Sequence, residues 1–230
     1  MQQARRGRGR PPVASREQIE AAALDLFLSQ GYGATGIAEI AAASGISRTT
    51  FFRHFPSKSA IVWSAFDDHT RTLRRLLAEA DDTAPVMTVV RACIVEALRA
   101  SVDEQGIWLR RFVVLDGSAD LRAEALAHWV SWADAVADYV AARTGGSGED
   151  LRPASIGGAM QAAFLAALRG WRTTSKPAPE LLAALDQDLV PLCEVLQGWL
   201  DTTWDGAVPR PVPRVTGSGA GPRLRGTPSP

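Results

Sequence analysis

Residues 35–58 read TGIAEIAAASGISRTTFFRHFPSK, and the spacing inside this run points to two short helices joined by a tight turn. Ile37, Ile40 and Ala41 fall on one helical face, and Ala43 and Ser44 lead into Gly45. Glycine takes the positive φ that a sharp helix–helix turn requires. Ile46 then plugs the angle between the helices, and Ser47 is placed as an N-cap whose hydroxyl accepts from the backbone N–H of Thr49 or Thr50. Phe51 and Phe55 stand one turn apart and bury a common face. Arg48, Thr49, Thr50, Arg53 and His54 are left on the outer side.

A second helix with a basic, acid-free outer face is the form that enters a DNA major groove. Arg48 can pair bidentately with a guanine edge, and Thr49 and Thr50 can meet a thymine methyl or a phosphate. His54 and Lys58 lie where a phosphate backbone would pass, and Ser57 caps the next helix. The same pattern also suits an ordinary corner of a helical bundle with solvated arginines.

Residues 16–58 resemble the DNA-binding domain of the TetR family of bacterial repressors. The resemblance rests on Ala22-Ala23-Leu24-Asp25-Leu26-Phe27, Gly31-Tyr32, Thr35, the stretch from Ile40 to Ser47, and Thr50-Phe51-Phe52-Arg53-His54-Phe55-Pro56-Ser57-Lys58. It implies DNA contacts by Thr35, Ser47, Arg48, Thr49, Thr50, Phe52, Arg53, His54 and Lys58. Two positions depart from the family pattern. Phe52 replaces a tyrosine that would reach a phosphate, and Gly36 stands where Ser or Thr commonly caps the second helix. A glycine cap costs only a few tenths of a kcal/mol.

The charges cancel over 230 residues, 25 basic against 25 acidic, but they are unevenly placed. Residues 1–58 hold eight basic and four acidic side chains, residues 59–204 thirteen and twenty, and residues 205–230 four and one. A basic end suits nucleic acid, and an acidic body is repelled from it. Cys93 and Cys193 fit no metal spacing and read as reduced core residues. The arginine-rich start has no apolar segment after it, and no apolar run nears the ~18–20 residues of a membrane span. A cytoplasmic protein with no membrane partner is expected.

The chain divides into a flexible basic arm (1–14), the helix–turn–helix domain (15–58), a ligand-binding and dimerisation domain (59–204) and a disordered tail (205–230). In the arm, Arg8 and Arg10 could lie in a narrow A·T minor groove. The Pro-, Gly-, Ser- and Arg-rich tail cannot bury enough apolar surface to order itself. Everything between reads as helix, about nine in all, with proline near the starts and glycine beyond the ends. The fold class is therefore all-α, with no strand expected.

In the ninth helix, Leu182, Leu185, Leu189, Leu192, Leu196 and Trp199 alternate at spacings of three and four, a seam for a partner helix. Pro191 interrupts it and should kink the helix near residues 187–188. The eighth helix offers small residues, Gly157, Gly158, Ala162, Ala163, Ala166 and Ala167. TetR-like proteins pair through their last two helices, so the resemblance implies a homodimer; the seam could instead pack within one subunit.

Six of the seven tryptophans lie between Trp63 and Trp199. Trp63, Phe66, His69, Trp108, Phe112, Trp129, Trp132, Met160, Phe164 and Trp171 fall on helices that surround the inducer cavity of TetR-like folds. An aromatic pocket with a few polar groups is the usual small-molecule site. His69, Arg110 or Arg111 would meet the polar end of a hydrophobic effector, although plain core packing explains any single aromatic. The run from Phe55 to Lys58, followed by Ile61, Trp63 and Phe66, is similar to a mycofactocin-linked branch of actinobacterial regulators, for which acyl-CoA effectors are known. An enzyme fits poorly, since His54, His69 and His128 are scattered and no phosphate loop or nucleophile–base pair is readable. No cofactor or metal is expected. A carrier would leave the 35–58 run unexplained, and a constitutive DNA-binding regulator stays open.

Overall fold

A computed structural model describes residues 14–81, 83–102, 107–172 and 176–202, and in these the regular structure is entirely helical. Residues 1–13, with Arg8 and Arg10, and the tail lie outside the described residues. α1 (Arg16–Gln30) opens on Ser15, whose Oγ accepts the Gln18 N–H while Gln18 Oε1 accepts the Ser15 N–H, a reciprocal cap. α2 (Ile37–Ala43) and α3 (Arg48–His54) follow. Between them Gly45 has φ +65°, the left-handed value that the turn demands. At Gly36 the missing cap side chain is offset from the other direction, because Glu39 Oε2 accepts the Gly36 N–H at 2.7 Å.

α4 (Ala60–Ala78) begins with Ser57 Oγ accepting the Ala60 N–H. α5 (Val86–Ser101), α6 (Ile107–Gly117), α7 (Ala119–Thr144) and α8 (Leu151–Trp171) build the body. The expected ninth helix is two, α9 (Ala178–Asp188) and α10 (Val190–Asp201), hinged at Leu189. Pro191 has no N–H to give the carbonyl four residues back, so the ladder breaks there, one residue beyond the expected kink.

Phe51 and Phe55 are fully buried beneath Ile19, Leu24, Phe27 and Ile40, forming the core of the three-helix head. Arg16 ties the ends of this unit together. Its guanidinium donates to the His54 carbonyl and to Ser64 Oγ, and it lies 4.5 Å over the Phe55 ring. In the body, α7 packs extensively on α8, α4 on α5 and α7, and both α9 and α10 on α5. α6 touches α1, α4 and α7, which makes it the joint between head and body. Cys93 and Cys193 are free, buried thiols, and burial pushes the Cys193 thiol up to about 11. No helix among the described residues is long and apolar enough to cross a membrane.

Candidate functional site

α3 presents its outer face as the spacing predicts. Arg48, Thr49, Phe52 and Arg53 are exposed, and no acid lies in its first turn. Ser47 Oγ accepts the Thr50 N–H at 3.1 Å and also contacts Thr50 Oγ1 at 3.0 Å, so both hydroxyls are engaged in the cap. Phe52 is 47% exposed and packs edge-to-face on Phe51. About half of this apolar ring stays open to water on the same face as Arg48 and Arg53.

Three of the expected DNA contacts point inward instead. Thr35 is buried, its hydroxyl donating to the Gly31 carbonyl at 2.8 Å and accepting from Gln30 Nε2. The Lys58 ammonium donates to the carbonyls of Tyr32 and Thr35, at 2.8 and 3.1 Å, and sits 4.0 Å over the Tyr32 ring. Lys58 therefore clamps the α1–α2 link and keeps one proton to spare. Burial, with Glu124 nearby, pushes the Tyr32 hydroxyl up to about 12. His54 Nε2 is buried without a partner. Thr35 and Lys58 suit phosphate contact, but nearby loop carbonyls claim them first.

The leucine seam is likewise turned to its own subunit. Leu182, Leu185, Leu189 and Leu196 are buried in the chain's single core, under helices that pack on α5. They leave no open leucine stripe for a second copy. What stays accessible is Ala162 and Ala166 on α8, with Val195 at 71% exposure and the half-buried Leu192 and Trp199 on α10. Of the two neighbouring glycines, Gly157 meets α7, whereas Gly158 faces open space.

The aromatic residues expected to line a cavity do come together, but they pack on one another. Phe66 meets Trp63 and Trp129 edge-on, and Phe164 stacks between His69 and Trp132 at 5.6 and 5.0 Å. Met160 and Trp171 are buried in the same core. One space beside them is about 20 Å³, bounded by Val62, Ala65, Phe66, Trp108, Arg111, Phe112 and Leu115. That is room for one water, against several hundred Å³ for a drug-sized guest. Between α4 and α6 these residues therefore leave no open cavity.

Two polar features sit inside this core. His69 accepts from Trp132 Nε1–H through Nε2 at 3.3 Å, which puts its proton on Nδ1, facing Ser101 Oγ at 3.1 Å and the Ala97 carbonyl at 3.3 Å. Burial pushes its pKa down to about 4, so the ring is neutral at pH 7. Trp63 stacks on His128, which reaches Asp67 at 2.7 Å, while the Trp63 indole N–H is buried with no partner.

Sequence reasoning paired Arg110 and Arg111 with a ligand and missed what they hold. Arg111 Nε donates to Glu20 Oε1 on α1 at 2.6 Å, and Arg110 pairs with Asp25 on the same helix. The four residues span the head–body joint. No local signal announces such pairs, because their members lie 91 and 85 positions apart.

Comparison with known proteins agrees with this fold. Residues 19–64 match the family model described as bacterial regulatory proteins, tetR family, and residues 84–197 match the one described as MftR C-terminal domain. The Mycobacterium tuberculosis protein named as a mycofactocin biosynthesis transcriptional regulator, MftR, is 30% identical over 177 residues, 76% of this chain and 89% of that protein. Among solved structures, SmeT, the repressor of the Stenotrophomonas maltophilia efflux pump SmeDEF, superposes with a TM-score of 0.56. It is 21% identical, with 81% of this chain and 90% of that one covered. Salmonella enterica GusR superposes with a TM-score of 0.56 at 19% identity, covering 85% and 100%. At these identities the two structures speak for the fold alone.

Proposed function

Because the chain belongs to the TetR family of bacterial transcriptional regulators, we propose that it binds a palindromic operator as a homodimer and is released by a hydrophobic or aromatic small molecule. Residues 15–58 form the DNA-binding unit in this account, and residues 59–204 take the effector and the second subunit. The observation that carries it is the α3 face, where Arg48, Thr49 and Arg53 stand exposed on a helix anchored by two buried phenylalanines. The MftR-like C-terminal match supports placing the chain in the mycofactocin-associated branch.

Release follows from linkage. An effector must widen the space beside Phe66, Trp108 and Phe112, and so shift α4 and α6 against the head. Two α3 helices would then leave the ~34–36 Å spacing of successive major grooves. The effector's influence on DNA affinity equals its differential affinity for the two states, typically ~1–3 kcal/mol.

Genomic fragments captured at two salt concentrations would identify the operator. On that duplex, Arg48→Ala is expected to cost about 1–3 kcal/mol and relax base preference at one position. Lys58→Ala should weaken all sequences alike by loosening the α1–α2 link that it clamps, and leave the salt slope unchanged. Unchanged binding by Arg48→Ala would remove α3 as the reading helix.

For dimerisation we favour the α8–α10 face, with Ala162 and Ala166 permitting close approach and Val195, Leu192 and Trp199 supplying apolar area. Val195→Arg is expected to leave folding stability within about 0.5 kcal/mol, since the side chain touches little of its own subunit. Sedimentation should then show the dimer replaced by monomer. A variant as dimeric as the parent would move the interface elsewhere.

A further inference from the structure

Arginines from two other helices converge on one acid at the end of α6. Asp116 stands in the last turn of that helix, beside carbonyls that have no partner within it, where the helix dipole disfavours a carboxylate. Its side chain is nonetheless only 12% exposed, and cations from α8 hold it there. Arg169 Nε donates to Asp116 Oδ1 at 3.1 Å, and the Arg172 guanidinium pairs with Oδ2. These two arginines belong to the last turn and the C-cap of α8. From α7, Arg122 donates to the Asp116 carbonyl. One residue thus closes α6 onto α8 and α7, through hydrogen bonds that ionised partners strengthen.

Further back along α6, the contacts run to the head. Arg110 and Arg111, about one and a half turns before Asp116, hold Asp25 and Glu20 of α1. α6 is therefore a short strut, with α1 fastened to one part of it and the end of α8 to the other. Ala166, in the subunit contact proposed above, lies about one turn before Arg169 on α8.

We propose that Asp116 is a positioning residue for operator reading. By fixing α6 to α8, it sets the distance between the two α3 helices of the dimer, and with it the half-site spacing that the protein accepts. This rests on the palindrome-binding homodimer proposed above and adds the residue that fixes its geometry. The fold of α3 does not depend on Asp116, because Phe51 and Phe55 anchor that helix within the head. A protein with α6 released from α8 therefore keeps its grip on one half-site and loses its preference among spacings. The preference at stake is steep, since each added base pair moves one half-site by ~3.4 Å and turns it by about 34°.

The test uses the full-length protein and reads DNA binding by anisotropy. The duplexes are the tightest from the genomic selection, the same one with a base pair added or removed between its half-sites, and one with a single half-site. The parent is expected to bind both altered spacings at least about tenfold less tightly than the selected one. Asp116→Asn keeps the shape of the side chain and removes its charge. It should bind the single half-site within about twofold of the parent, yet lose no more than about threefold between spacings. Two half-sites should still be bound more tightly than one. The second variant, Arg169→Gln/Arg172→Gln, removes the same ties at exposed positions of α8 and should give the same flattened profile. It keeps the outcome readable where Asp116→Asn fails to fold.

A spacing profile as steep as the parent's in both variants overturns the role of Asp116 and leaves operator binding standing. Affinity that falls to the single half-site value at every spacing also overturns it, because the contact would then hold the dimer together and not set its geometry. A parent that binds one half-site as tightly as two overturns the palindromic dimer and this proposal together.

Discussion

Acidification from pH 7 to pH 4 is expected to remove about 3 kcal/mol of folding stability through His69 alone. Its pKa is about 4 in the folded chain and 6.5 in an unfolded one, a gap worth roughly 3 kcal/mol. Between those values the unfolded state binds a proton that the folded state refuses. Stability is therefore complete above pH 6.5, falls as pH drops through the window, and stops falling once the folded ring protonates near pH 4. The cause is the closed aromatic box around the ring, whose Nε2 is already committed to the Trp132 N–H. Other groups titrate in the same range, so the isolating measurement is a difference. Urea midpoints of the parent and of His69→Gln should diverge by the stated amount at pH 7 relative to pH 4. Glutamine retains an acceptor for Trp132 and a donor for the Ala97 carbonyl but has no proton to gain. Parallel pH profiles would mean that His69 is not sealed from water.

Two adjacent glycines in α8 should respond to alanine with opposite signs. A Cβ on Gly157 would fall inside the carbonyl oxygen of Ala133 and lie 3.3 Å from Ala137 Cβ, both on α7. The obstacle is helix backbone, which cannot swing aside as a side chain would. Gly157→Ala should therefore cost about 1–3 kcal/mol by forcing α7 and α8 apart, a fall of several degrees in melting temperature for a domain of this size. Gly158 has nothing within 4 Å of the same added carbon. Gly158→Ala should gain up to about 1 kcal/mol from helix propensity. Calorimetric melting of the three proteins at one concentration decides it, and equal shifts in both variants would contradict the helix contact.

The contrast between these glycines marks how far sequence could be read. Nothing local tells them apart, and only the path of α7 separates them. In the head, by contrast, the turn at Gly45, the Ser47 cap and the Phe51–Phe55 pair are relations over three or four residues, so spacing determines them. Spacing also marked the buried face of α9 and α10 but not what covers it. A three–four repeat looks the same whether its partner is α5 of the same chain or a second subunit. The aromatic residues were recognisable as interior, yet whether rings enclose a void depends on rotamers that composition does not encode. Thr35 and Lys58 carry suitable groups for phosphate, but loop carbonyls 4 positions away for Thr35, and 23 and 26 away for Lys58, are nearer partners than DNA. The Glu20–Arg111 contact joins helices from separate parts of the chain, beyond any local pattern.

The space beside Phe66, Trp108 and Phe112, at about 20 Å³, has a mechanical corollary for whatever enters there. A guest cannot slip into a waiting hollow and stay unnoticed, because room for it exists only after α4 or α6 has been pushed aside. Occupancy and deformation are then one event, silent binding is ruled out by volume, and the rate of uptake is set by how often the wall yields.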